Sequence, residues 1–218
     1  MKDIALEGGR GLVVDEGRKG DWMQTYTGRR FYPADPRAAD VDILDIALAL
    51  GNMTRYGGHC RFYSVAEHSV LVSHIVPPQF ALEGLLHDAT EAYVADLIRP
   101  MKRCLAKDNE YFKIDALVRL AIAEKFRLQP KEPREVIEAD CAILATEKEV
   151  LHPRSDPWDI PFANPGLKIR CLIPPASQRA FLVRYAELTQ QHPVPLLEEL
   201  DAIFSNDERV LHEHWGVK

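Results

Sequence analysis

The stretch LLHDATEAYVAD (residues 85–96) decides the fold, because it reads as a buried helical segment that delivers His87 and Asp88 side by side. Two further stretches of the same kind flank it, SVAEHSV (64–70) with His68 and EADCAILATE (138–147) with Asp140. Neighbouring residues cannot share one face in the middle of a helix. Near a helix end, however, the His87 and Asp88 side chains can splay around one ion. Asp140 points the same way as Val136, Ile143 and Leu144, three or four positions away. A carboxylate in that apolar setting is costly to desolvate unless a cation compensates it. Taken singly, each group has an ordinary reading as a core histidine, a helix cap or a solvated aspartate. Together, two imidazoles and two carboxylates form a ligand set for a divalent cation, with positions left for water and substrate.

Working outward, the body reads as mainly α, one helical domain over residues 21–206 with its core at about 40–150. A flexible leader (1–20) precedes it and a tail (207–218) follows. WMQTYTGRRFYPADP (22–36) alternates aromatic and polar residues about Thr27-Gly28, which predicts a short N-terminal β-hairpin. A helix starts near residue 42 with Asp40 or Asp42 as N-cap, and Gly51 and the Arg55-Tyr56-Gly57-Gly58 stretch loosen or end it. Ser64 caps the next helix, with Glu67 as its capping-box partner, and the helix runs to about Ile75. Further helices are expected at 79–89, in a short piece to Ala95 that Arg99-Pro100 breaks, and at 108–126 and 134–151. In 108–126 the apolar face is read as Phe112, Ala116, Leu117, Leu120, Ile122 and Ala123. Residues 152–175 read as a long surface loop with a short strand at 168–173, followed by helices at about 176–191 and 196–205.

The chain has 218 residues, 46% hydrophobic and 28% charged, enough to bury a sizeable core. Its apolar runs fall short of the roughly 18 residues a membrane span needs, and no secretory signal core opens the chain. Four dispersed cysteines (Cys60, Cys104, Cys141, Cys171) fit reduced thiols in a cytoplasmic protein. The formal net charge of -6 argues against a surface that coats a nucleic-acid duplex, yet leaves room for a small anion held by a few inward cations. Glu91 follows Asp88 by three and His87 by four, so it shares their surface, with Asp96 at the end of the segment. Carboxylates so placed suit acid/base work or holding a hydroxyl; the plain alternative for Glu91 is a solvated charge. Trp22, Tyr26, Phe31 and Tyr32 either form the hairpin's local core or stack a base. His59 touches a phosphate or bonds its own loop. His74 points to another face of its helix, and His192, His212 and His214 lie in terminal segments.

These motifs resemble the HD-domain phosphohydrolases, named for the His…His-Asp…Asp tetrad, and within them the bacterial 5′-deoxynucleotidases and the phage and prophage HD hydrolases. The likeness covers about 22–150. It implies an HD-type helical bundle with His68, His87, Asp88 and Asp140 binding one divalent metal ion (Co, Mn, Fe, Zn, Ni or Mg), joined by a second where the substrate is a polyphosphate. Arg55 would hold the phosphate, and Tyr56 would press on the sugar where the deoxynucleotidases have Trp. Glu91 would act in acid/base catalysis, and Asp96 would contact the sugar 3′-hydroxyl or assist the attacking water. The spacing of 19 residues from His68 to His87 is closer to the prophage-type proteins. The guanidinium fork of Arg55 suits phosphate, and Arg61, Lys102 and Arg99 are further cations whose alternative is solvation or a helix end. The expected activity is hydrolysis of deoxynucleoside 5′-monophosphates to deoxynucleoside and phosphate. The alternatives are a dNTP (dATP-type) triphosphohydrolase and a regulatory nucleotide-binding HD module without catalysis. The resemblance also implies a homodimer or larger homo-oligomer.

Overall fold

A computed structural model describes residues 17–106, 109–191 and 197–198, and in them the protein is mainly helical with a two-stranded antiparallel hairpin near its start. Strands β1 (Met23–Gln24) and β2 (Arg30–Phe31) pair with Met23 opposite Phe31. Gly28 takes φ 84° in the connecting turn, a conformation open to glycine at little cost. The hairpin is fastened to the body by Asp45, which accepts hydrogen bonds from the Thr27 backbone N–H (2.7 Å) and hydroxyl (2.9 Å). Phe31 and Tyr32 are buried, and Phe31 stacks on Tyr93 at 3.9 Å, so these two aromatics are core. Arg18 falls within the expected loose leader but is clamped by Asp35 (3.0 Å) and Asp40 (2.6 Å) over the Tyr32 ring.

Helix α1 (Ile43–Asn52) begins at Asp42, whose side chain accepts from the Leu44 N–H. Gly51 does not end it. It lies inside α1 against α8 (Pro174–Thr189), where an added Cβ would fall 2.2 Å from Gln178 Cγ. Helix α2 (Val65–Ile75) lies at the centre, against α1, α3 (Ala81–Leu86), α7 (Arg134–Leu151) and α8. Ile46, Leu50, Leu85, Phe181 and Leu182 fill the main core with less than 2% exposure, each worth roughly 1.5–3 kcal/mol of burial. Val72, Val136, Ala139 and Ile143 form a second cluster between α2 and α7.

Several expectations are corrected. The helix expected at 79–89 stops at Leu86, and a turn carries the chain through His87–Thr90 into α4 (Glu91–Val94). Arg99-Pro100 opens α5 (Arg99–Cys104) rather than breaking a helix, since proline is tolerated in a first turn. Helix α6 (Glu110–Phe126) buries Ile122 and Ala123 as expected, but Ala116, Leu117 and Leu120 are exposed, and Val118 and Ala121 are buried in their place. Residues 168–173 form no strand. Their backbone is held by Glu67, whose carboxylate accepts from the N–H groups of Arg170 (2.6 Å), Cys171 (3.2 Å) and Leu172 (2.7 Å). The expected capping box is therefore half formed: the Ser64 hydroxyl accepts from the Glu67 N–H (3.0 Å), while the Glu67 carboxylate serves a distant loop. Apart from 197–198, the helix expected at 196–205 lies outside the described residues, as do His192, His212, His214 and the tail. No helix among the described residues is long and apolar enough to cross a membrane.

Candidate metal centre

His68 sits on the fourth residue of α2 and is fully buried. His87 closes α3 as its C-cap, and Asp140 comes from the middle of α7. One ligand atom from each of these three residues lies within 4.8 Å of the others, so the group could hold a metal ion.

The outward nitrogen of each imidazole is already engaged. His87 Nδ1 lies 2.9 Å from the Gly84 carbonyl, which can only accept, so this nitrogen donates. His68 Nδ1 lies 2.7 Å from Glu147 Oε1. The Glu147 carboxyl is held well below its usual range: burial opposes ionisation, but Arg55, His68 and Tyr56 outweigh it, and a carboxylate also only accepts. Both rings therefore turn Nε2 inward, and the two Nε2 atoms stand 3.3 Å apart. Asp140 Oδ1 lies 3.1 Å from the first and 4.0 Å from the second. Three donors that converge in a buried pocket could hold a cation among them. The protonation of His87 reports the same field. Burial alone would lower its pKa, yet the Asp88 and Asp140 carboxylates lift it to about 9. The donor chemistry, two imidazoles and a carboxylate, fits a borderline divalent ion.

Asp88 stands at the edge of this group. Its Oδ2 is 3.2 Å from His87 Nε2 and 3.7 Å from His68 Nε2, and 3.5 Å from Arg55 Nη1. Its acidity is strengthened: burial opposes ionisation, but His87, His68 and Arg55 prevail. His87 and Asp88 sit where α3 gives way to a turn, and of the two only His87 belongs to the converging group. Arg55 lies between two carboxylates, with Nη2 3.4 Å from Glu147 Oε2, and its side chain is only 15% exposed.

The other expected residues divide into those near the centre and those away from it. Glu91 is buried, with Lys102 3.1 Å from Oε1 and no hydrogen-bond partner for Oε2 among the described residues. Burial pushes its carboxyl up to about 9, with Asp88 and Asp96 adding to the rise and Lys102 opposing it. Asp96, half-buried, follows Ala95, whose backbone at φ 67°, ψ 156° is rare for a residue with a side chain. Arg99 reaches Asp140 Oδ2 at 3.6 Å with its side chain 50% exposed. Arg61 is exposed; burial raises the Cys171 thiol and Arg61 opposes that rise. His59 and His74 are exposed.

Sequence reasoning missed Glu147 and the aromatic side of the site. Glu147 lies seven residues, two helical turns, beyond Asp140, so the spacing itself could have flagged it. The aromatic wall comes from residues 152–175: the Tyr56 ring meets His152 edge-on at 4.6 Å and Trp158 at 5.9 Å.

No protein-family model matches the chain. The chain is similar to the uncharacterized protein YfdR of Escherichia coli, 37% identical over 174 residues that cover 78% of this chain and 96% of that protein. It is also similar to the uncharacterized protein RCAP_rcc00048 of Rhodobacter capsulatus, 32% identical over 185 residues that cover 75% of this chain and 93% of that protein. Identity of 37% with 96% of YfdR covered puts the chain in the YfdR family.

Proposed function

We propose that this protein is a metal-dependent phosphohydrolase of the HD type that releases phosphate from deoxynucleoside 5′-monophosphates. The observation that carries this reading is the facing pair of imidazole Nε2 atoms with Asp140 beside them, bordered by Asp88. His68, His87, Asp140 and Asp88 would hold the ion, which when bound supplies Lewis-acid polarisation of a phosphoryl oxygen and lowers the pKa of water.

The chain's own groups supply the rest. Arg99 and Lys102, with side chains 50% and 37% exposed, are the rim cations that an incoming phosphate meets first. Arg55 contributes positive charge from below; its pairings of 3.4 and 3.5 Å are long, which leaves guanidinium donors unspent. Glu91 is the acid/base group, a buried carboxyl with one oxygen on Lys102 and the other unpaired. Asp96, near enough to Glu91 to raise its pKa, suits a sugar hydroxyl. Two rim cations match one phosphate better than three, which is why the monophosphate is preferred to a triphosphate.

The test is phosphate release from a panel of dNMPs and dNTPs with Mn²⁺, Co²⁺ or Mg²⁺, with products separated by ion exchange. Orthophosphate from dNMPs is expected. Tripolyphosphate from a dNTP would replace the monophosphate reading with the triphosphohydrolase one, and silence across the panel would sink both.

A further inference from the structure

Glu147 is fully buried, an expensive place for a carboxylate, and it is not one of the three converging donors. Its contacts account for its presence. Oε1 takes the His68 Nδ1–H (2.7 Å), and Oε2 takes the Tyr56 hydroxyl in a short hydrogen bond and faces Arg55 Nη2 (3.4 Å). Tyr56 reaches this carboxylate from a left-handed backbone, φ 58°, ψ 25°, which is uncommon for a bulky residue and persists where the surroundings over-determine it. Gly57, at φ 59°, continues the turn. His152 and Trp158 pack on the Tyr56 ring, so the side chain is held from the ring side as well as the hydroxyl side.

We infer that Glu147, held by Arg55 and Tyr56, is a positioning residue for the His68 imidazole, and that Tyr56 serves this scaffold rather than the choice of sugar. The inference rests on the metal reading above. The carboxylate fixes His68 in the tautomer with Nδ1–H outward, leaves the Nε2 lone pair toward the ion and raises its donor strength. Arg55 and the Tyr56 hydroxyl keep the carboxylate aimed. The same three contacts join α2, α7 and the Arg55–Gly58 turn, so a change in the Tyr56 loop is transmitted to the metal centre.

The experiment measures Mn²⁺ and Zn²⁺ affinity by calorimetry on the chelator-treated full chain, unsubstituted and as Glu147→Gln and Tyr56→Phe, with folding checked by circular dichroism. The unsubstituted chain is expected to bind. If it does not, the metal reading and this inference fall together. If it binds, Glu147→Gln is expected to weaken affinity about 10- to 100-fold. Tyr56→Phe, which removes one hydrogen bond to the carboxylate, is expected to weaken it about five-fold. Folded variants that bind as the unsubstituted chain does would overturn the inference and leave the hydrolase reading standing. Should Glu147→Gln fail to fold, two arms remain. Tyr56→Phe with unchanged affinity but an altered ratio of dNMP to NMP turnover assigns Tyr56 to the sugar and overturns the inference. Long-range ¹⁵N spectra of histidine-labelled, Zn²⁺-loaded unsubstituted chain are expected to show His68 protonated at Nδ1; protonation at Nε2 overturns it.

Discussion

Replacing Glu91 by Gln should stabilise the metal-free protein at alkaline pH, and only there. Glu91 is 6% exposed, Oε2 has no hydrogen-bond partner among the described residues, and the carboxyl rises from its ordinary 4.5 to about 9. The folded chain therefore binds a proton that the unfolded chain has released across this window. Native-state stability is untouched below about pH 4.5 and falls as pH rises toward 9, by about 1.4 kcal/mol per pH unit at the limit. Between pH 5 and 8 that limit is about 4 kcal/mol; the pairing with half-exposed Lys102 softens it, so about 2–4 kcal/mol is expected. A glutamine carries no such titration. Its buried amide has a cost of its own, about 1–3 kcal/mol if one group stays unpaired, but that cost does not vary with pH. Thermal unfolding of both proteins in chelator at pH 5, 6.5 and 8 should give a Tm difference that swings toward the Gln variant by about 5–10 °C across the series. Parallel Tm curves would refute the argument, because they would mean that Glu91 is ionised in the folded state. The same variant should lose phosphate release, so stability and activity move in opposite directions.

His68→Ala should abolish stoichiometric Mn²⁺ or Zn²⁺ uptake, read by elemental analysis after gel filtration, because a member of the converging donor set is gone. Metal binding should release about one proton near pH 7, since burial works against protonation of His87 but Asp88 and Asp140 raise it to about 9; calorimetry in buffers of different ionisation enthalpy measures it, and affinity should climb until about that pH. Glu67→Ala strips the acceptor from three backbone N–H groups at 170–172 and should cost about 2–4 kcal/mol in urea unfolding, with faster amide exchange confined to that segment.

The helical body was legible because its periodic segments obey local rules. Asp42 and Ser64 cap α1 and α2 where a short polar side chain precedes an apolar run, and α7 spans 134–151 as expected. What failed was non-local. The buried face of α6 is chosen by which neighbours it meets, and helical spacing alone joined Leu117 and Leu120 to Ile122 and passed over Val118 and Ala121. Gly51 reads as a helix stop until the approach of Gln178 explains why a side chain is excluded there. The irregular 168–173 backbone is held by a carboxylate about a hundred positions earlier, and no periodicity encodes such a partner.

In the site, His68, His87, Asp88 and Asp140 could be read because an ionisable group inside an apolar helical stretch is itself a signal. Glu147 carried the same signal but followed Thr146 and preceded Lys148, in a stretch that passes for a polar helix end. The difference matters for how the pocket balances its charge. Asp88, Asp140 and Glu147 bring three carboxylates, against which Arg55 is one buried cation and Arg99 a half-exposed one. Glu147 is answered by Arg55, Tyr56 and the His68 N–H, so its charge is spent on orientation. Asp88 shares Arg55 and Asp140 Oδ2 has only the half-exposed Arg99, which leaves Asp140 Oδ1 and the two inward Nε2 atoms as the part of the pocket with the least positive charge from arginine. In the metal-free chain a proton on His87 meets part of that deficit, and a divalent ion that displaces it can meet all three donors at once. The buried arginine thus does not neutralise the site. It pairs with the carboxylates that aim the ligands and leaves the deficit where an ion can be held.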